Sequence, residues 1–359
     1  MKTTVGILYG GKSSEHEVSL RTACSILQAL NYETYEVIPF YIDLTGKWNE
    51  GTLVTSAPST VEELRFSTST SVDLFSLKER VSLFFPVIHG PFGEDGTLQG
   101  LLEMLDIPYV GCGVLASSAG MDKVVMKNIF KAEGLPQCRY TYVTRREIEQ
   151  NIESVVSSIE QELGYPNFIK PANLGSSVGI NKASTKEELM FALQEASKFD
   201  RRIIIEEFVD GREIEIGVLG NDHLQTSVVG EIRSAGEFYD YTSKYKNGST
   251  ELDIPARIPE SVANEVSALA KRAFKALDGS GLSRIDFFWN AKTNQLFLNE
   301  INTMPGFTSF SMYPMLFKEA GIGYDLLIEE LFSLALQRYQ DKKKNMTSAE
   351  SFDSSKVEA

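Results

Sequence analysis

Near its C-terminal end the chain reads SGLSRIDFFW and, after a short polar stretch, QLFLNEINTMPGF. Two apolar runs this close together, rich in aromatic and branched residues, are best buried as a β-hairpin. Side chains on a strand alternate faces, so Arg284 and Asp286 share one side, and Leu298, Glu300 and Asn302 are expected to share one side of the second strand. A hairpin across 291–295 sets Asp286 opposite Glu300. Directly opposed residues lie roughly 4.5–5.5 Å apart, and like charges there repel. Two carboxylates and an amide oxygen at that spacing suit a hard divalent cation, and Mg²⁺ is usually held by one or two carboxylates plus substrate phosphates. Ordinary surface acids on an exposed hairpin are the plainer account. They explain less well why polar groups interrupt FFW and LFL on one face only.

A length of 359 residues allows two or three compact domains. The net charge of −14 argues against a nucleic-acid backbone as partner, since that contact needs clustered Lys and Arg. It does not exclude a small anionic ligand, because a local pocket can oppose the global sign. Cys24, Cys112 and Cys138 are odd in number and far apart, without metal or disulfide spacing, and read as buried thiols in a reducing cytosol. No apolar run is long enough to span a bilayer, and the start MKTTVGILYGG lacks a signal-peptide pattern. A cytoplasmic protein without membrane contact is expected.

The first third alternates strand signals (3–9, 35–41, 81–88) with helical ones (18–30, then TLQGLLEMLD), which suggests a parallel sheet with helices on both faces. The Ser/Thr-rich stretch 46–77 is poorly patterned, and part of it is expected to be loop. A second unit opens with MDKVVMKNIFKAEG, an amphipathic helix with a Gly stop, followed by a strand at 166–170, a helix at 186–197 and a strand at 202–207. In a third unit, from 214 to about 339, Val262, Val266, Leu269, Ala273, Phe274 and Leu277 mark one helical stripe. The polar tail from 341 onward is expected to be disordered.

Lys170 ends a strand and precedes PANLGSSVG, whose small residues let backbone N–H groups approach an anion. The lysine comes before the glycines, so this is no Walker A loop. GGKSSEHEVSL and HGPFGEDG each follow a strand, placing both loops beyond carboxyl strand ends, where ligands bind in doubly wound sheets. For either loop alone, a capped turn is the simpler account. The stretch 231–251 is long, polar and aromatic, as functional lids often are.

Taken in order from residue 10 to residue 314, GGKSSEHEVSL, HGPFGEDG, MDK, IKPANLGSSVG, EFVDGREIEI, YDYTSKY, RIDFF and NEINTMPGFTSFSMYP resemble the D-alanine–D-alanine ligases of the ATP-grasp superfamily. The resemblance implies a doubly wound α/β substrate domain over 1–120. A two-part ATP-grasp fold would follow over 121–213 and 214–340, with an omega loop at about 233–250 and a tail at 341–359. It implies ATP between the last two units, with Lys123 and Lys170 on its phosphates and Ser176 and Ser177 in the phosphate loop. Glu206, Glu207, Phe208, Val209 and Glu213 would lie by the adenine and ribose, and Lys244 and Asn299 would also face the nucleotide. Asp286, Glu300 and Asn302 would hold two Mg²⁺, replaceable by Mn²⁺, and a monovalent cation is a further candidate. Glu15 would meet the first D-alanine's ammonium and His89 would lie beside that substrate. Arg284 and the Gly306 N–H would stabilise the oxyanion, and Ser311 and Met312 would receive the second carboxylate. Tyr245, Ser176 and Glu15 would join three segments over the site. The implied product is D-alanyl-D-alanine for peptidoglycan, made by a cytoplasmic homodimer. D-lactate or D-serine as second substrate, or another ATP-grasp carboxylate–amine ligation, are the alternatives. The Lys244–Tyr245 pair favours an amine nucleophile.

Overall fold

The structure is a computed structural model, and it describes residues 2–68, 72–175, 178–233 and 251–346. The first sheet is formed by β1 (Thr3–Gly10), β2 (Tyr35–Ile42), β3 (Trp48–Glu50) and β4 (Leu83–Pro86), in the order β3-β2-β1-β4. β1 pairs parallel with both β2 and β4, and β3 adds an antiparallel edge. Alternation along β1 sends Val5, Ile7 and Tyr9 into one core and Leu8 into another. Both faces are therefore covered, as parallel sheets require. The 46–77 stretch is not all loop, because it supplies β3 and a short 3₁₀ turn, Val61–Leu64, whose Leu64 is buried.

The second sheet is antiparallel, with order β5-β8-β6-β7, from β5 (Tyr140–Thr144), β6 (Asn167–Pro171), β7 (Asn181–Ala183) and β8 (Arg202–Glu207). Its Ile169, Ile203 and Ile205 pack under the Arg145–Glu162 and Lys186–Ala196 helices. That parity leaves Lys170 and Glu206 on the opposite face. The third sheet, also antiparallel, has the order β11-β10-β9-β12-β13: β9 (Arg212–Gly220), β10 (Gln225–Arg233), β11 (Glu251–Asp253), β12 (Gly281–Asn290) and β13 (Gln295–Asn302). The Glu260–Ala276 helix closes its apolar face with Val262, Val266, Ala273 and Phe274, the stripe read from sequence.

The Lys123–Ala132 helix lies between the second and third sheets. Its Met126 and Phe130 enter the core of the third sheet, and its Val124 packs on Ala172 and Ile204 of the second. The Tyr324–Lys342 helix returns to the first sheet, with Leu327, Ile328 and Leu331 in the same core as Val5 and Ile7. Two residues expected in the disordered tail thus belong to that helix. Lys342 pairs with Glu103 and Lys343 with Asp106, so charges that read as solvated are anchored to an acidic edge. The rest of the tail, from 347, lies outside the described residues.

The hairpin forms, and Asp286 does face Glu300. The route differs from the sequence reading in one respect. The turn is four residues, since Asn290 already pairs with Gln295, and Asn294 takes a left-handed φ of 56° that asparagine tolerates. The register then slips by one between Asp286 and Phe287, where Asn299 is the extra residue of a β-bulge. The expectation that Leu298 shares a face with Glu300 and Asn302 is overturned by that bulge. Leu298 lies opposite Phe287, fully buried in the core, while Glu300 turns to the other face. Leu298→Ala should therefore lower stability by about 2–5 kcal/mol and leave ligand binding in the cleft unaffected. Chemical denaturation together with a nucleotide titration checks this, and weakened binding at unchanged stability would put Leu298 back on the cleft face.

Candidate active site

The polar face of the third sheet carries a closed charge cluster. The Arg284 guanidinium donates to both oxygens of Asp286, through Nε at 2.7 Å and Nη2 at 2.8 Å, and its Nε is 2.9 Å from Glu215 Oε2. Asn302 Nδ2 donates to Asp286 Oδ2 at 3.0 Å. Burial works against the charge on Arg284, but Asp286 and Glu215 outweigh it and hold the guanidinium ionised far above its ordinary range. Glu215 was not expected from the sequence. EIEI reads as a plain alternating strand, and only the pairing of Glu215 with Asp286 across β9 and β12 gives it a role.

Lys123 begins the helix between the second and third sheets, directly after its cap residue Asp122, which accepts from the Val124 and Val125 N–H groups. The Lys123 ammonium donates to the Leu174 carbonyl at 2.8 Å and lies 3.5 Å from Glu300 Oε2. Lys170 Nζ is 2.5 Å from Glu206 Oε2, and the unexpected Lys127 is 2.9 Å from Glu206 Oε1. Burial pushes the Glu206 carboxyl up, yet the Lys127 and Lys170 ammonium groups prevail and lower it from 4.5 to about 2. The spacing of MDKVVMK puts Lys123 and Lys127 on one helix face, a signal the sequence held all along. Glu207, also expected by the nucleotide, has its side chain engaged elsewhere. Alternation turns it away from Glu206, and both its oxygens are taken by Arg139, at 2.7 Å and 2.6 Å. Beyond it Phe208 is partly exposed, tilted on Phe168 at 6.2 Å with Lys182 Nζ 5.1 Å above its ring, while Val209 is half-buried. Glu213, on β9, stands opposite Phe288 on the neighbouring strand of the third sheet, and Asn299 occupies the bulge.

The two N-terminal loops reach the same place. Glu15 immediately precedes the His16–Ala29 helix, and its Oε2 fills the space where a Cβ on Gly90 would lie, at 2.8 Å. A Cβ on Gly175 would be 3.9 Å from the same oxygen. Gly90, at φ 79°, thus lets HGPFGEDG pass against Glu15. His89 is buried, its Nδ1 3.3 Å from Glu94 Oε1 and its Nε2 3.1 Å from Thr22 Oγ1. Burial opposes its protonation, but the Glu94 and Glu15 carboxylates raise its pKa nonetheless. Glu15, His89, Lys123, Arg284, Glu300, Asn302, Gly306, Ser311 and Met312 all line one cavity of about 380 Å³. Ser311 precedes the Met312–Glu319 helix, and its Oγ accepts from the Thr308 N–H at 3.0 Å. A larger hollow, about 1450 Å³, lies along the Tyr324–Lys342 helix, but it contains none of the residues singled out from sequence.

Sequence models of the D-ala D-ala ligase N-terminus and C-terminus match residues 4–112 and 129–333. The chain belongs to the D-alanine–D-alanine ligase family. A D-alanine–D-alanine ligase of Geobacillus thermodenitrificans is 52% identical over 96% of this chain and 98% of its own, and one of Bacillus cytotoxicus is 51% identical with the same coverage. Among solved structures, the VanG D-Ala:D-Ser ligase from Enterococcus faecalis matches with a TM-score of 0.82 at 35% identity, covering 93% of this chain and 100% of that one. The D-alanine–D-alanine ligase from Coxiella burnetii matches with a TM-score of 0.80 at 31% identity, covering 96% of each. Members of this family carry out ATP-dependent ligation for peptidoglycan synthesis and generally need Mg²⁺.

The donor set of this ligase fits such a cation. Among the described residues no three His, Cys, Asp or Glu side chains form a cage. Mg²⁺ asks for less, one or two carboxylates with the remainder from substrate and water. With Asn302 Nδ2 committed to Asp286, its amide oxygen is left to join the Glu300 carboxylate. Ser176, Ser177, Lys244, Tyr245 and nearly all of the expected omega loop lie outside the described residues.

The low pKa of Glu206 has a defined pH signature. A depressed carboxyl contributes stability that is complete above its ordinary 4.5 and is lost as pH falls toward about 2. At about 1.4 kcal/mol per unit this is worth roughly 3 kcal/mol. Glu206→Gln should be less stable by that order at neutral pH and flatter than the parent through the acid window. Urea unfolding at stepped pH measures the difference, and parallel curves would refute the assignment.

Proposed function

We propose that this chain joins two D-alanines at the expense of ATP, through D-alanyl phosphate, to give D-alanyl-D-alanine. The observation that carries the reading is the meeting of Glu15, Lys123, Arg284 and Glu300, drawn from distant segments, around one cavity. Half-identical relatives named D-alanine–D-alanine ligase, matched over nearly their whole length, support it. We further propose three units with boundaries near 120 and 213, a cytoplasmic homodimer, and two Mg²⁺.

A carboxylate oxygen of the first D-alanine attacks the γ-phosphorus, and the bond to the ADP oxygen breaks. The amine of the second then attacks the acyl carbon and loses a proton, and phosphate leaves. Glu15 is suited to bind the first ammonium, and Lys123 and Lys170 to neutralise the phosphates. Asp286, Glu300 and Asn302 would hold Mg²⁺, which when bound offsets charge on the phosphoryl group. Arg284, already fixed by Asp286 and Glu215, spends no reorganisation in meeting the oxyanion beside the Gly306 N–H. The start of the Met312–Glu319 helix, at Ser311 and Met312, favours the second carboxylate. Tyr245 would close the cavity against water, which an acyl phosphate does not survive.

ADP release with ATP, Mg²⁺ and D-alanine tests the proposal, and no D-alanine-dependent turnover would sink it. Glu300→Gln should lower kcat/KM on the order of 10²-fold while the fold is retained. Normal rates in that variant would remove Glu300 from the metal set. Similarity to a D-Ala:D-Ser ligase keeps one other reading open. Offering D-serine or D-lactate against D-alanine and identifying the product separates them.

A further inference from the structure

Lys127 is fully buried, yet it shares a helix face with Lys123 and has no place in the chemistry above. It falls between the segments matched by the two family models, which end at 112 and resume at 129. Its Nζ lies 2.9 Å from Glu206 Oε1, 3.8 Å from Cys138 Sγ and 5.7 Å from the centre of the Tyr140 ring. Lys170 holds the other Glu206 oxygen. The two ammonium groups differ in access, because the Lys127 side chain is 1% exposed and that of Lys170 is 11%. A ligand entering the cleft can reach Lys170 and not Lys127.

To turn its full charge toward a nucleotide phosphate, Lys170 has to give up its close pairing with Glu206. With Lys170 as its only partner, Glu206 would then be left as a bare buried carboxylate, one of the costliest states in a protein interior. The lysine would stay where it is. A second, unreachable ammonium removes that obstacle. We propose that Lys127 is a positioning residue that keeps Glu206 compensated while Lys170 changes partner from Glu206 to a nucleotide phosphate. Lys127 touches no substrate, and acts only by setting how readily Lys170 is released. Its own place is fixed: Asp122 at the helix start binds Arg202 and accepts from Asn173 at 2.8 Å, so helix and β8 move together. The inference rests on the cleft being an ATP site.

Calorimetric titration with ADP and Mg²⁺, alongside steady-state kinetics on the full chain, tests it. Lys127→Met keeps the stem and removes the charge. Its Kd for ADP should rise at least about tenfold, while the KM for D-alanine changes by less than about twofold. Lys127→Met combined with Glu206→Gln removes the carboxylate too and keeps an acceptor oxygen. Its ADP affinity should match that of Glu206→Gln alone within about threefold. Unchanged ADP affinity in the Lys127→Met variant, with only a lower melting temperature, would make Lys127 merely structural and overturn the inference. A double variant that binds ADP much more weakly than Glu206→Gln would overturn it as well. Should Lys127→Met fail to fold, that comparison of the double variant with Glu206→Gln decides alone. A parent chain that binds ADP but shows no turnover with D-alanine refutes the ligase reading and leaves the lysine inference to be read from the titration. A parent that binds no ADP overturns both.

Discussion

A cleft built to hold a polyanion must keep several cations in place before the anion arrives. Here the solution is ion pairing inside the protein. Lys127 and Lys170 share Glu206, Lys123 lies near Glu300, and Arg284 spans Asp286 and Glu215. A buried lysine or carboxylate left without a partner is costly to keep charged. Paired, the lysines and the arginine remain ionised and the carboxylates remain acceptors. The rest of the fold serves this arrangement. The second and third sheets present one partner each, and the Lys123–Ala132 helix carries lysines to both.

The helix can do so because its residues divide by face. Met126 and Phe130 commit it to the third sheet, while Val124 and the Asp122 cap commit it to the second. Apolar contacts alone would tolerate small rotations, since many packings bury similar area. The two lysines do not, because each has a carboxylate at a fixed point on a different sheet. The charge network therefore sets the relation between the sheets more sharply than the core does.

Much of this could be read from the sequence where local periodicity and loop composition carry the information. β1 and β8, the Glu260–Ala276 stripe, and the loops around Glu15 and His89 are of this kind. The facing of Asp286 and Glu300 was legible too, although through a turn one residue too long and without the bulge, two differences that cancel. They do not cancel for Leu298, whose face depends on the bulge alone. Glu215 was hidden for another reason: it sits in a regular strand and gains meaning only from Asp286, far off in the chain. Lys127 could be placed on the Lys123 face by its spacing, but its partner Glu206 could not. Glu207 shows the reverse: neighbouring acids look equivalent in sequence, and strand parity gives one to the cleft and the other to Arg139.

The same pairing bears on why this chemistry calls for divalent cations. Lys123, Lys127, Lys170 and Arg284 are set against Glu206, Glu215, Asp286 and Glu300, so this part of the cleft is close to neutral before any ligand enters, in a chain whose net charge is −14. A nucleotide polyphosphate then brings more negative charge than the lysines can offset without abandoning buried acids. Releasing Lys170 supplies one positive charge at the price of leaving Glu206 to Lys127. The remaining deficit calls for cations from outside the protein, and on the proposed reading Glu300, Asp286 and the Asn302 oxygen would be their protein donors. On this view the acids of the hairpin act twice. They keep Arg284 and Lys123 in place before the substrate arrives, and as proposed ligands they would take up the ions that accompany it.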